Sequence, residues 1–319
     1  MTDSITPRPE FDSSDASDVA LGTLIVEDLP DPTAKPTFAD LVRSMPWTAR
    51  LGALWLFVVV FLAVTADYLW FFKDPNYLYG VFEGEATNQG PSTKFWLGND
   101  NLARDIFARL VYGARVSLIV AGVAVAFGTI IGGFLGSLVG FVRGKTETTI
   151  MALVDVILAF PGLVLLLVMV AITETRSLTA ISLVIGMLSI APYTRVARAN
   201  ALTVSNREFV QAARSIGTKP LRILVREIIP NVMPSIFAFA FVAAAAIMVL
   251  EGTLAFLGLS VQPPTATWGQ MIFQARADMR QNLWPVVYPS AALVITVLAL
   301  NTVGDWMRER NSARSAALG

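Results

Sequence analysis

Residues 205–229 read SNREFVQAARSIGTKPLRILVREII and stand between two long apolar windows. Ser205-Asn206-Arg207-Glu208 fits a capping box, in which a serine opens a helix and the glutamate three residues on reaches back to it. Phe209, Ala212, Ala213 and Ile216 follow at i, i+3, i+4 and i+7, the spacing of one apolar helix face. Gly217 stands where a left-handed C-terminal residue is needed, and Pro220 suits the first turn of a second helix. In that second helix Leu221, Leu224, Val225 and Ile228 repeat the spacing, with Arg222 and Arg226 opposite. The segment thus predicts two short amphipathic helices joined at a glycine elbow. Seven cations against two carboxylates between Arg195 and Glu227 suit a pair of helices resting on lipid headgroups, and equally a docking element for a cytoplasmic partner.

Outside this segment the chain is apolar. Hydrophobic residues make up 55% of the 319 and charged residues 15%, where a soluble domain carries about a quarter charged; mean hydropathy is +0.61. Six windows are long enough for a spanning helix of about 20 residues: Leu51–Phe72, Val116–Val142, Thr149–Ile172, Leu178–Tyr193, Ile228–Phe256 and Trp284–Trp306. Lys and Arg concentrate two to one on the side that holds both termini, which predicts cytoplasmic N- and C-termini by the positive-inside rule.

Several functions are excluded by what is missing. The chain has no Cys and no His, so disulfides, thiolate chemistry, imidazole bases and ordinary zinc sites fall away, and no metal or cofactor is expected. Net charge is zero, which gives no field for nucleic acid. No G-x-x-x-x-G-K-[ST] occurs, so any ATP-driven action has to be supplied by another subunit. The first 44 residues carry nine carboxylates against three cations and few apolar residues, which reads as a disordered acidic tail rather than a signal peptide.

Within the windows, Gly128, Gly132, Gly136 and Gly140 repeat every four residues, which predicts one helix face for close packing against a neighbour. Phe160-Pro161-Gly162 predicts a kink in the third span. Asp155 and Glu251 fall inside spans and are candidates for a translocation path or gate together with Pro161, while Asp305 sits near a span end beside Arg308 and Arg310. Residues 99–111 read as an amphipathic helix on the outer surface. The turn from Pro263-Pro264 to Trp268-Gly269 is a candidate docking point for an external binding protein through Trp268 and Gly269.

Gln211-Ala212-Ala213-x-x-x-Gly217, ending at Ile228-Ile229-Pro230, resembles the E-A-A-x-x-x-G signature of ABC-importer permeases, with Gln for Glu at 211 and Ile for Leu at 229. Leu97-Gly98-Asn99-Asp100-Asn101-Leu102-Ala103-Arg104-Asp105 is similar to the L-G-T-D-x-x-G-R-D run of the C-type permease of dipeptide and oligopeptide importers, departing at Asn99 and Ala103. Tyr112–Leu118, Val154–Pro161 and Phe256–Gly269 continue the likeness, which covers about residues 94–310.

The resemblance implies an all-α integral membrane protein of six transmembrane helices with the type I importer permease fold. It implies a tail over 1–44, a first span and outer loop over 45–93, a permease domain over 94–310 with coupling helices at 205–229, and a C-terminal tail over 311–319. It implies ATPase coupling by Glu208, Gln211, Ala212, Ala213, Arg214 and Gly217. The partners it implies are a second permease, two cytoplasmic ABC ATPases and an extracytoplasmic binding protein in the cytoplasmic membrane, with alternating access. Peptides are the implied substrate; nickel chelates, haem-like compounds and sugars are carried by similar permeases. An ion-coupled carrier using Asp155 or Glu251 would be expected to show inverted repeats, and none is visible. A membrane enzyme would need a convergent carboxylate, Ser or Lys set, and none is visible either.

Overall fold

The computed structural model describes residues 42–70, 72–173 and 176–317. The chain divides at Met45/Pro46, and of the first unit only residues 42–45 are described, a single turn closed by Met45 N–H on Val42 O at 3.2 Å. Most of the acidic 1–44 tail therefore lies outside the described residues.

The second unit is helical, and no strand occurs among the described residues. In chain order its helices are α1 (Trp47–Thr65), α2 (Tyr79–Phe82), α3 (Ile106–Phe127), α4 (Gly133–Val142), α5 (Gly144–Ala159) and α6 (Gly162–Thr173), then α7 (Leu178–Ser205), α8 (Glu208–Ser215), α9 (Pro220–Ile223), α10 (Ile229–Phe256), α11 (Trp268–Ala275) and α12 (Trp284–Ala317). A π-helical turn at Gly128–Gly132 joins α3 to α4 and another at Leu224–Ile228 joins α9 to α10, so each pair runs on as one rod of 37 residues. The second turn has a cause in the sequence: Pro230 carries no N–H and crowds the carbonyl four residues back, which opens the ladder there.

Among the described residues, five helices are long and apolar enough to cross a membrane, and a sixth crossing exists if α5 and α6 count as one. Those two meet at 89° instead of forming the kinked single helix expected over Thr149–Ile172. Phe160, forced toward extended geometry by the following proline, has φ −79° and ψ 138°, so the helix stops at Ala159 and restarts at Gly162.

Helix ends also differ from the windows. α7 runs to Ser205 because its last turns are helical yet too charged, with Arg195 and Arg198, for a hydropathy window. Of the expected surface helix over 99–111, only 106–111 is helical, as the start of α3. Residues 99–105 form a loop in which Asp100 Oδ1 accepts from the N–H groups of Leu102 and Arg104, both at 2.9 Å. The helix begins only at Ile106, after Asp105 caps the Ala108 N–H at 3.0 Å.

The glycine stripe of α3–α4 packs against α7, as its spacing predicts. A Cβ at Gly132 would stand 2.6 Å from the Ile190 carbonyl oxygen, and one at Gly140 2.8 Å from that of Arg198. At Gly128 it would strike the Tyr193 ring, and at Gly136 the Thr194 carbonyl. Gly52 of α1 meets Thr302 and Ala299 of α12 in the same way, and the Trp55 indole donates to Thr296 Oγ1 at 2.8 Å.

Candidate functional site: the 205–220 loop and the charges of the bundle

The loop begins where α7 ends. Ser205 is buried and its hydroxyl donates back to Ala201 O at 2.6 Å, so it does not cap α8. The expected capping box is not formed: Arg207 occupies the N-cap position with φ −73° and ψ 151° and makes no side-chain cap. Because α7 extends further than its apolar window, its last turn takes the hydroxyl. Glu208 stays exposed in the first turn of α8, where a carboxylate favours the positive end of the helix dipole.

One residue anchors α8. Val210 is fully buried in a cluster with Val204, Ile223, Leu224 and Ile228, and Ala213 packs against the same cluster. The rest of the α8 apolar face stays open, with Phe209 39% and Ile216 81% exposed and Ala212 exposed between them, and Leu221 of α9 is open as well at 68%. A small helix with an uncovered apolar face needs a surface to lie on.

Gly217 has φ +76°, the left-handed geometry its position predicts. Its N–H donates to Arg214 O at 3.0 Å and that of Thr218 to Ala213 O at 3.1 Å, closing the end of α8 before Pro220 opens α9. No atom lies within 4 Å of where a Gly217 Cβ would be, so the requirement for glycine is conformational and not steric.

Two contacts hold the loop to the end of α4, and periodicity offered no sign of either. The Arg214 guanidinium stands over the Phe141 ring, 5.1 Å from its centroid. Arg143, itself at φ +57°, donates through Nη2 to Asn206 Oδ1 at 2.8 Å.

The candidate gate residues do not come together. Asp155 is more than half exposed and pairs with Arg195, while Glu147 pairs with Arg198 at 2.5 Å, so two ion pairs tie α5 to α7. Pro161 stands at the break between α5 and α6. Glu251 lies elsewhere, in the last two turns of α10, fully buried and accepting from the Ser260 hydroxyl at 2.8 Å. Asp305 is exposed, 3.7 Å from Arg308.

Trp268 and Gly269 both face into the bundle. The Trp268 indole is buried and donates to Leu110 O at 2.9 Å. A Cβ at Gly269 would lie 2.6 Å from the Ala255 Cβ and 2.7 Å from the Gly252 Cα. In this conformation neither offers a side chain to an outside protein. Sequence reasoning also missed a buried polar knot beneath them. Arg104 pairs with Asp100 at 2.7 Å and donates to Gln274 Oε1 at 3.0 Å, and Arg109 reaches the same glutamine at 3.4 Å. Its only sequence signal was the alternation of acids and arginines over 100–109. Among the described residues, no three carboxylates converge as a metal site would require.

Residues 132–316 match the family described as binding-protein-dependent transport system inner membrane components. The chain is similar to the glutathione transport system permease protein GsiD of Pectobacterium atrosepticum, 36% identical over 285 residues, covering 86% of this chain and 93% of that protein. It is 35% identical to the proteins of the same name from Escherichia coli O6:K15:H31 and Shigella boydii serotype 4, over 87% of this chain and 92% of each relative. The helical bundle, the left-handed Gly217 elbow and these matches agree: the chain belongs to the inner-membrane permease components of binding-protein-dependent ABC importers.

Proposed function

We propose that the chain forms half of the pathway of a peptide importer and converts ATP-driven movement of a partner into reorientation of its spans. It pairs with a second permease, engages two cytoplasmic ABC ATPases through residues 205–229, and receives substrate from an extracytoplasmic binding protein. Short peptides are the substrate class that the relatives named for glutathione transport support. Both termini face the cytoplasm, with the permease domain over 94–310 and tails at 1–44 and 311–319.

The observation that carries this reading is the half-covered α8. Val210 and Ala213 fix it to the bundle, whereas Phe209, Ala212 and Ile216 stay open beside Glu208, Gln211 and Arg214. That is the arrangement of an element held at its base and offered to a groove. Force applied there reaches the 37-residue rod from Pro220 to Phe256 through the cluster that Val210 shares with Ile223, Leu224 and Ile228, across the Gly217–Lys219 elbow. Binding of nucleotide by the ATPases would then bias two arrangements of the spans, each with different contacts at the loop.

The test uses the absence of cysteine. A single Cys placed at Ala212 is unique in the chain. In the assembled transporter it should crosslink to the ATPase subunit, with a yield that changes between ATP-bound and nucleotide-free states. A single Cys at Gly122, on α3, should not. Crosslinking to lipid-directed reagents alone, with no ATPase product in either state, would falsify the coupling role.

A further inference from the structure

A cleft of about 740 Å³ opens between α7, α10 and α12 at the loop end of these helices. Its lining changes along the helices: Arg207 and Asn231 stand at the loop ends of α7 and α10 and Val196, Ala238 and Phe239 stand deeper, while on α12 Asn311 meets Pro234 and Arg308 lies one turn further in. Pro230 and Ala238 are eight residues apart on α10, so at 1.5 Å per residue the cleft reaches roughly 12 Å along the bundle. No carboxylate lines it. The Arg308 guanidinium pairs with exposed Asp305 at 3.7 Å, and Arg207 makes no side-chain hydrogen bond or ion pair among the described residues. The Asn311 amide donates to Pro234 O at 2.8 Å, which fixes one wall of the mouth to the other.

We propose that this cleft is a binding site for one anionic phospholipid, with its phosphodiester between Arg207 and Arg308 and the start of an acyl chain against Val196, Ala238 and Phe239. Two guanidinium groups in a lining that holds no carboxylate among the described residues match a phosphate, which accepts paired hydrogen bonds from each and would compete with exposed Asp305 for Arg308. The apolar far end matches hydrocarbon and gives a free anion nothing to contact. A transported peptide carries a cationic end as well as an anionic one, and the cleft offers no carboxylate to receive it. Basic pockets between helices on the cytoplasmic side are where anionic headgroups concentrate. The site rests on the reading that the loop end faces the cytoplasm, where the bound lipid would brace α7, α10 and α12 beside the coupling loop.

The experiment is native mass spectrometry of the full chain released from detergent, after exposure to equimolar phosphatidylglycerol and phosphatidylethanolamine. The wild type should retain one phosphatidylglycerol in preference to the zwitterion. Arg207→Gln with Arg308→Gln should lower retention about 30-fold, near fivefold for each arginine. Arg207→Lys with Arg308→Lys should keep part of it, and Arg222→Gln, an exposed arginine outside the cleft, should keep all of it. Thermal unfolding of each variant in detergent distinguishes loss of the site from loss of the fold. Equal retention of both lipids, or unchanged retention in the double Gln variant, overturns the proposal. So does displacement of the lipid by inorganic phosphate alone, which would make the cleft a free-anion site, or by a dipeptide alone, which would make it part of the substrate path. The membrane side is tested separately, by labelling Glu309→Cys with an impermeant maleimide in vesicles of both orientations. Outward labelling rejects the orientation whatever the lipid result, and inward labelling without retained lipid rejects only the lipid.

Discussion

The hydroxyl of Ser260 donates to the carboxylate of Glu251 at 2.8 Å in a fully buried setting, joining the last turns of α10 to the segment that leads into α11. This pair holds in place the run from Leu257 to Thr267, which Arg176 also grips through Gly258 O at 2.9 Å.

Glu251→Gln keeps an acceptor for Ser260 and should leave folding and uptake near wild type. Glu251→Ala leaves the hydroxyl without its partner, and loss of a buried hydrogen-bond partner costs about 1–3 kcal/mol. The measurements are thermal unfolding in detergent and uptake in vesicles. Equal loss in both variants would mean that the negative charge, and not the hydrogen bond, is what the site uses.

The glycine stripe allows a comparison inside one helix rod. A Cβ at Gly136 runs into the backbone carbonyl of Thr194, whereas one at Gly122 meets nothing within 4 Å. Gly136→Ala should destabilise by about 1–3 kcal/mol through overpacking. Gly122→Ala should be neutral or slightly stabilising, since alanine is favoured over glycine in a helix by about 1 kcal/mol. Paired unfolding curves check the difference in sign.

At Gly217 the residue added matters through its backbone preference. With open space around the Cβ position, Gly217→Asn should retain most coupling because asparagine visits the left-handed region. Gly217→Val should lose most of it, with ATP hydrolysis continuing and uptake falling. Gly217→Ala should lie between, at a conformational cost of about 1–2 kcal/mol. The readout is the ratio of substrate moved to ATP hydrolysed, and an order that follows side-chain volume alone would contradict this account.

Asp67 lies just beyond α1, where the Tyr112 hydroxyl donates to it at 2.8 Å and Arg115 pairs with it at 2.7 Å. These contacts, the Tyr112 hydrogen bond foremost, hold its carboxyl below the usual carboxylate range. A depressed carboxylate contributes stability above its ordinary pKa and loses it as pH falls through the lowered one. The unfolding temperature of wild type minus that of Asp67→Asn should therefore be positive at neutral pH and shrink on acidification below about pH 4. Salt should weaken it, because the pair is exposed.

Apolar runs and helix-breaking residues were legible in the sequence because each acts over a few neighbouring positions. Gly217, Pro220 and the four-residue glycine repeat all stand where their local chemistry places them. Phe160-Pro161-Gly162 marks where the helix bends, but tertiary packing sets the 89° angle, which the kink motif alone does not carry. The lost capping box has a similar origin: Ser205 has two possible partners, and only the length of α7 decides between them. Arg143 with Asn206, Arg214 with Phe141 and Arg104 with Gln274 join residues 63, 73 and 170 positions apart, where no local pattern reports them. The turn to Trp268 and Gly269 is legible from Pro263-Pro264, but not that both residues pack inward, because their partners Leu110, Gly252 and Ala255 lie on other elements.

The glycine stripe brings α3–α4 and α7 close enough that only the Tyr193 ring and small alanines stand between them, so neither can slide or tilt alone without collision. Flexing then falls to places where the chain has already left the helix, among them Arg143, Phe160–Pro161, Asn206–Arg207 and Gly217–Lys219. A transport cycle in this protein would proceed by swivelling a welded two-helix block about such joints.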